Sequence, residues 1–394
     1  MNETVAPVDY DRHPGFTATS APWSVNEEEV RRFTHEYDLL LSTGEVNGSV
    51  LVDTARSIFN QLEAQAVDFH EECFIRELGS DLLAMVSEQV DFYRRIAMSR
   101  PSPETQSDRQ RALSADGFYI TSISQRTLAR IHRLSGTTVK MLRVNASAGK
   151  MSRADLSVNS GRVIRSISKT LNRDFKKSGV IRSLRVLLDA PVRVVGVALE
   201  LSVPGSTWWK SSAEEGNSPA TLYAHVDRSV SAPKSIVYLT EVREENGPTT
   251  CYPGIYGSIA MSGLQDLVGR CLETIGSNQK SPLYDYYKIV GQPLSNERFR
   301  GHFMKLPPTV RFNSHFGWDV IKNSELEDMM LSRQHEVLGP AGTALIFDGG
   351  RLVHRGGLIE AGERVVLQVV FGRSTWLIRT SNVVRFVLKK LKGE

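Results

Sequence analysis

The chain has 394 residues, enough for one large domain with additions or two of ordinary size, and its 41% hydrophobic content gives it material for a buried core. A net charge of +4 favours an anionic substrate or surface but is too small to argue for nucleic acid, and the longest apolar runs, such as Val365–Phe371, are far too short to span a membrane. Cys73, Cys251 and Cys271 form no CxxC pair and the N-terminus has no apolar signal region, so a soluble protein in a reduced, cytoplasmic setting is expected.

Residues 1–25 are rich in Pro, Thr and Ser and predict an irregular lead-in. Asn26 then caps a helical stretch to about Met98, with Glu27, Glu28 and Glu29 in its first turn. Ile58, Leu62, Ala66 and Phe69, and later Leu82, Met85, Val86, Val90 and Tyr93, recur at spacings of three and four, which predicts two to four helices. Arg100-Pro-Ser-Pro interrupts the pattern, and the polar stretch to Gln110 has the character of a linker. The chain divides accordingly into a mainly helical N-terminal extension, 1–108, and a second region, 109–394.

The second region opens with a turn and a short strand at Phe118, then helices over Gln125–Leu134 and Gly161–Lys177, the latter basic on its polar side. From Val194 the apolar runs become short and β-branched. Strands are expected at Val194–Val203, Leu222–Val226, Ser235–Leu239, Gly257–Ala260, Thr309–Phe312, Ala344–Phe347 and Val365–Phe371. Many short strands with turn signals between them predict an α+β protein whose sheets form a sandwich or jelly roll. A segment of about 262–308 interrupts the strands with a helix at Leu264–Leu272 and a cluster of Tyr284, Tyr286 and Tyr287, either a substrate-facing lid or extra packing.

Tyr223-Ala-His-Val-Asp227 carries the first chemical signal. On a strand, positions i and i+2 share a face, so His225 and Asp227 project together, with Tyr223 on the same side. One more imidazole on a neighbouring strand would complete the two-His, one-carboxylate set of mononuclear iron oxygenases, with positions left open for oxygen and substrate. With nine histidines in the chain, an HxD arises by chance readily, and alone it describes a hydrogen-bonded surface His equally well. The second signal is Gly342-Thr-Ala-Leu-Ile-Phe-Asp-Gly-Gly-Arg-Leu-Val-His354-Arg-Gly-Gly, a strand, a glycine turn and a histidine on the next strand. Ten residues on, Arg364 opens an apolar strand, where a buried guanidinium calls for a carboxylate, either of a ligand or of a structural Asp or Glu. Glu363 could serve only by facing the other way.

The order HxD, GxxxxFDxxxxxHRGG and an arginine ten residues on resembles the 2-oxoglutarate-dependent Fe(II) dioxygenases, especially their phytanoyl-CoA dioxygenase-like branch. Asp116-Gly117-Phe118 and Asn246-Gly247-Pro248…Pro253-Gly254 resemble further stretches of that family, and the likeness covers about Leu113 to Arg373. It implies a double-stranded β-helix with flanking helices, Fe(II) held by His225, Asp227 and His354, and 2-oxoglutarate held through Arg364; Tyr223, facing the site by alternation, is within reach of co-substrate or substrate. It also implies a hydroxylase that consumes O₂ and a small-molecule substrate and releases succinate and CO₂. Two departures stand out: Gly356 replaces a frequent hydroxyl residue two after the distal His, and the step from Asp227 to His354 is long. Alternatives are an iron oxidase or cupin-type enzyme that does not use 2-oxoglutarate, and a catalytically silent ligand-binding jelly roll. The N-terminal helices are a packing element or a homodimer contact.

Other residues are weighed against plainer roles. Trp208-Trp209-Lys210 would wall the cavity mouth or simply pack. His315 reads as a structural histidine, with a substrate contact as the alternative. Arg351 and Arg355 would bind an anionic substrate or face solvent. Should Arg162, Arg165, Lys169 and Arg173 line a cleft, a phosphate-bearing substrate would gain weight. Cys251 has the surroundings of a packed thiol.

Overall fold

Asn26 does cap the first helix: its side chain accepts from the Glu28 N–H, and Gly44, left-handed at φ 71°, closes α1 (Glu27–Thr43) by donating to Leu40 O. The computed structural model describes residues 4–16, 21–44, 47–97, 106–147, 153–157, 162–188, 190–204, 223–289, 292–317 and 319–373. The run from Ile58 to Phe69 is not one helix. It is split between α2 (Gly48–Glu63) and α3 (Phe69–Ala97), because Asp68 Oδ1 accepts from the N–H groups of His70 and Glu71 and starts a new helix there. Part of the expected linker is helical too. Ser107 and Gln110 form a capping box that opens α4 (Asp108–Ala115).

The chain continues through β1 (Phe118–Ser122), α5 (Gln125–Ser147), β2 (Arg153–Ser157), α6 (Arg162–Lys177), α7 (Val180–Leu188) and β3 (Val192–Ser202). Then follow β4 (Ala224–His225), β5 (Pro233–Tyr238), β6 (Thr249–Tyr252), α8 (Ile255–Ser258), α9 (Gly263–Cys271), α10 (Pro282–Tyr287) and α11 (Glu297–Lys305). The last elements are β7 (His315–Phe316), α12 (Glu325–Ser332), β8 (His335–Val337), β9 (Thr343–Asp348), β10 (Val353–Arg355) and β11 (Arg364–Arg373). Among the described residues no helix is long and apolar enough to cross a membrane.

The strands form two antiparallel sheets, one ordered β1-β9-β5-β11-β3-β2 and the other β7-β4-β10-β6-β8. Alternation explains how β11 serves two cores. Val365, Leu367, Val369 and Phe371 point outward beneath α5, α6 and α7, while Val366 points inward to Tyr238, Cys251, Leu345 and Phe347 between the sheets. Both faces being covered, the strand is apolar almost throughout. A further core unites α1, α2 and α3 with the helices of the 262–308 segment: Phe74 meets Phe299 edge-on at 5.7 Å, and buried Glu71 pairs with Lys305.

Three expected strands need correction. Of Gly257–Ala260, Gly257 and Ser258 end the short helix α8, entered through the left-handed Gly254, and Ile259 makes only an isolated parallel bridge to Val5. Thr309–Phe312 joins no sheet, because the Val310 and Arg311 N–H groups both turn back to Pro307 O. Of the strand expected over Leu222–Val226, Leu222 lies outside the described residues, and among the rest only Ala224 and His225 form β4.

Candidate metal centre

His225 and His354 are direct cross-strand partners on β4 and β10, with ring centroids 4.5 Å apart. Asp227 follows just beyond the end of β4, anchored by its N–H to Gly349 O at 2.7 Å. One ligand atom from each of His225, Asp227 and His354 lies within 4.8 Å of the others. The glycine turn after β9 makes room for this: a Cβ on Gly349 would sit 1.7 Å from Asp227 Oδ2. Asp348 holds the turn in shape, accepting from the N–H groups of Ala232 (2.8 Å) and Gly350 (3.2 Å). Tyr223 shares the cavity, but not by strand alternation. Its φ of 69° places it outside the strand, where its carbonyl faces His225.

Both imidazoles are oriented the same way. His225 Nδ1 lies 2.9 Å from Tyr223 O and His354 Nδ1 lies 2.9 Å from Leu352 O. A carbonyl only accepts, so each Nδ1 carries the proton and each Nε2 is left with a lone pair, the usual state of a metal-ligating histidine. Burial, then the neighbouring His354 and His315 rings, push the His225 pKa down to about 3, and burial lowers that of His354 as well. Burial acts against the Asp227 carboxylate, but His354, Lys234 and His225 outweigh it and hold its pKa at about 2. Asp227 Oδ1 accepts from Lys234 Nζ at 2.5 Å, while Oδ2 is buried with no hydrogen-bond partner. Two neutral imidazoles and a carboxylate with one open oxygen fit a divalent transition metal.

These groups open onto a cavity of about 430 Å³ between the sheets. Arg364 lines it, only 3% exposed, donating from Nη1 to Gly247 O and leaving Nε without a partner. Glu363 faces away and takes Arg143, Nε to Oε2 at 2.9 Å. The acid whose charge reaches Arg364 is instead Glu200 on β3, which accepts from Gln368 Nε2 at 2.7 Å.

No family model matches the chain, and neither does any curated protein. Solved structures that it is similar to include the non-haem α-ketoglutarate-dependent epimerase SnoN from nogalamycin biosynthesis, at 14% identity and a TM-score of 0.36, covering 70% of this chain and 85% of that one. EctD from S. alaskensis with 2-oxoglutarate and 5-hydroxyectoine matches at 13% identity and a TM-score of 0.39, covering 71% and 80%. HygX from Streptomyces hygroscopicus with nickel and 2-oxoglutarate bound matches at 11% and 0.37, covering 68% and 87%.

Several cavity residues carry no signal in the sequence. Lys234 reaches Asp227 from β5, and Glu273, Gln292 and Pro293 reach in from the 262–308 segment. His315, expected to be structural, pairs with His225 across β7 and β4, their rings stacked at 5.2 Å, and forms part of the cavity wall. Arg355 lines the cavity, whereas Arg351 lies 3.9 Å from Asp348 outside it. Cys251 is buried in β6, where desolvation raises its thiol pKa far above the ordinary range. Trp208, Trp209 and Lys210 lie outside the described residues.

Proposed function

We propose that this chain is an Fe(II)- and 2-oxoglutarate-dependent oxygenase on a double-stranded β-helix, acting on an unactivated C–H bond of a small metabolite. One observation carries the reading. Two imidazoles fixed through Nδ1 and a carboxylate with an open oxygen converge within 4.8 Å, on a cavity that also holds a buried arginine with an unpartnered Nε.

In this reading His225, Asp227 and His354 hold the iron, which when bound with 2-oxoglutarate activates O₂ for substrate oxidation with release of succinate and CO₂. Lys234, with the two histidines, favours the Asp227 carboxylate and fixes its Oδ1, which would leave Oδ2 as the oxygen that holds the metal. Arg364 takes the distal carboxylate of 2-oxoglutarate, a charge-assisted pairing that a buried guanidinium favours strongly. Thr249, beside Gly247 and Pro248 and on the cavity wall, supplies a hydroxyl in place of the one missing at Gly356. Tyr223 walls the same space, and Ile236, Phe347 and Val366 exclude water from it.

Anaerobic titration with Fe(II) and then 2-oxoglutarate tests this. A visible metal-to-ligand charge-transfer band is expected, lost in His354→Ala and Asp227→Ala, with succinate formed on admitting O₂. Tight iron binding without any band on adding 2-oxoglutarate would remove the co-substrate from the scheme. Glu200 favours a second reading, an iron enzyme without 2-oxoglutarate in which Arg364 answers only to a structural acid. Turnover by Arg364→Ala with no 2-oxoglutarate added would select it.

A further inference from the structure

Strand order gives the cavity two ends. In the smaller sheet His225 and His354 occupy the central strands β4 and β10; Arg364 reaches Gly247, beside β6, on one side of them, and His315 on β7 flanks the other. The β7 side is closed by the 262–308 segment, which contributes Glu273, Gln292 and Pro293 to the lining.

The polar groups at that end are mainly acceptors. Glu273 Oε2 lies 3.4 Å from His315 Nε2, long for a hydrogen bond, and its side chain keeps 47% exposure. Burial works to raise the Glu273 pKa, but His315 and His225 outweigh it and bring it down to about 2, so the group is an anion at neutral pH. Gln292 is only 4% exposed; its Nε2 donates weakly to Phe316 O at 3.4 Å, and its Oε1 is buried without a partner. A buried amide oxygen left unpaired is costly unless a ligand supplies the donor. Of the lysine and arginine side chains on the cavity wall, Lys234 is bound to Asp227, Arg364 donates to Gly247 O, and Arg355, its Nε buried without a partner, enters from β10. The basic helix α6 packs on the outward side of β3, so its cations do not line this cavity.

Resting on the oxygenase reading, we propose that the β7 end binds a polar substrate through its hydrogen-bond donors, hydroxyl or ammonium groups given to Glu273 and Gln292 Oε1, and not an acyl chain. Three probe sets test this by ligand-observed NMR on the anaerobic Fe(II)–2-oxoglutarate protein and on the metal-free protein: sugars and polyols, amino sugars and alkylamines, and medium-chain acyl esters. Binding from the first or second set is expected, weakened at least 10-fold by Glu273→Ala and by Gln292→Leu. Glu273→Gln separates the two donors, since an amide oxygen still accepts from a hydroxyl but no longer attracts an ammonium. Hydroxyl binders should then lose only a few-fold and ammonium binders 10-fold or more. The charge-transfer band should persist in all three variants. Preferential binding of acyl esters, undiminished affinity in Glu273→Ala, or no binder in the first two sets would overturn the proposal. Loss of the band in the unaltered protein would instead count against the iron and 2-oxoglutarate reading, while the metal-free arm still reports on this end of the cavity.

Discussion

Gly349 shows how much of the candidate centre depends on single atoms. It does not have a left-handed backbone, so alanine meets no conformational barrier there, yet the added methyl would overlap Asp227 Oδ2. Gly349→Ala should therefore displace the carboxylate and lower metal affinity by roughly 10–100-fold, the usual effect of disturbing groups that orient a ligand. Iron titration followed by circular dichroism checks it; unchanged affinity would mean Asp227 is not a ligand. His225 gives a second prediction, for the metal-free protein. Its folded pKa lies near 3, below the ordinary 6.5, so between those values the unfolded chain binds more protons. Stability should fall as pH drops from about 6.5 towards 3, by at most ~1.4 kcal/mol per pH unit from this group. Urea denaturation at pH 7 and pH 5 should show a shallower loss for His225→Gln than for the unaltered chain. The HxD pair was legible because it is local, two residues apart. Lys234 and Glu273 were not, since a crossing strand and a distant segment bring them in, and neither leaves a pattern near Asp227.

Among the elements, the long apolar strands and the capped helices could be read directly, because period and cap chemistry are written in consecutive residues. Short strands could not: β6 and β8 have four and three residues, too few for alternation to emerge. Tyr223 illustrates the same limit, being placed at the cavity by a left-handed turn and not by the strand that was expected. The 262–308 segment, ambiguous in sequence between lid and packing, packs its helices into a core with α1–α3 and also lines the cavity with Glu273 and Gln292. Phe74→Ala in α3 should accordingly cost about 3–5 kcal/mol, the range for a buried aromatic, and also weaken binding at the β7 end of the cavity. Chemical denaturation and the probe titration would show the two effects together; full stability would mean the shared core contributes little.

At the scale of the molecule, charge is distributed unevenly. Helices α5, α6 and α7 carry thirteen Lys and Arg side chains, all exposed, against Asp174 alone, and Asp174 is occupied by Ser124 and Thr127. With a total of only +4, the rest of the chain is net negative. Bulk pI is therefore a poor guide to behaviour at surfaces. Above the sequence pI of about 8.9 the protein should still be held by a cation exchanger at low salt, and Arg165→Glu, Lys169→Glu and Arg173→Glu together should release it. Identical elution of the two proteins would show that the cations do not act as one face.

The shared helical core also sets a timetable for synthesis. The apolar faces of α1–α3 are complete once Ala97 has emerged, but part of what buries them begins only at Gly263. At about 5–20 residues per second, the ribosome leaves those faces partly uncovered for roughly ten to thirty seconds. A nascent chain in that interval is a natural client for holding chaperones, and slow stretches of translation between the two points would lengthen its exposure.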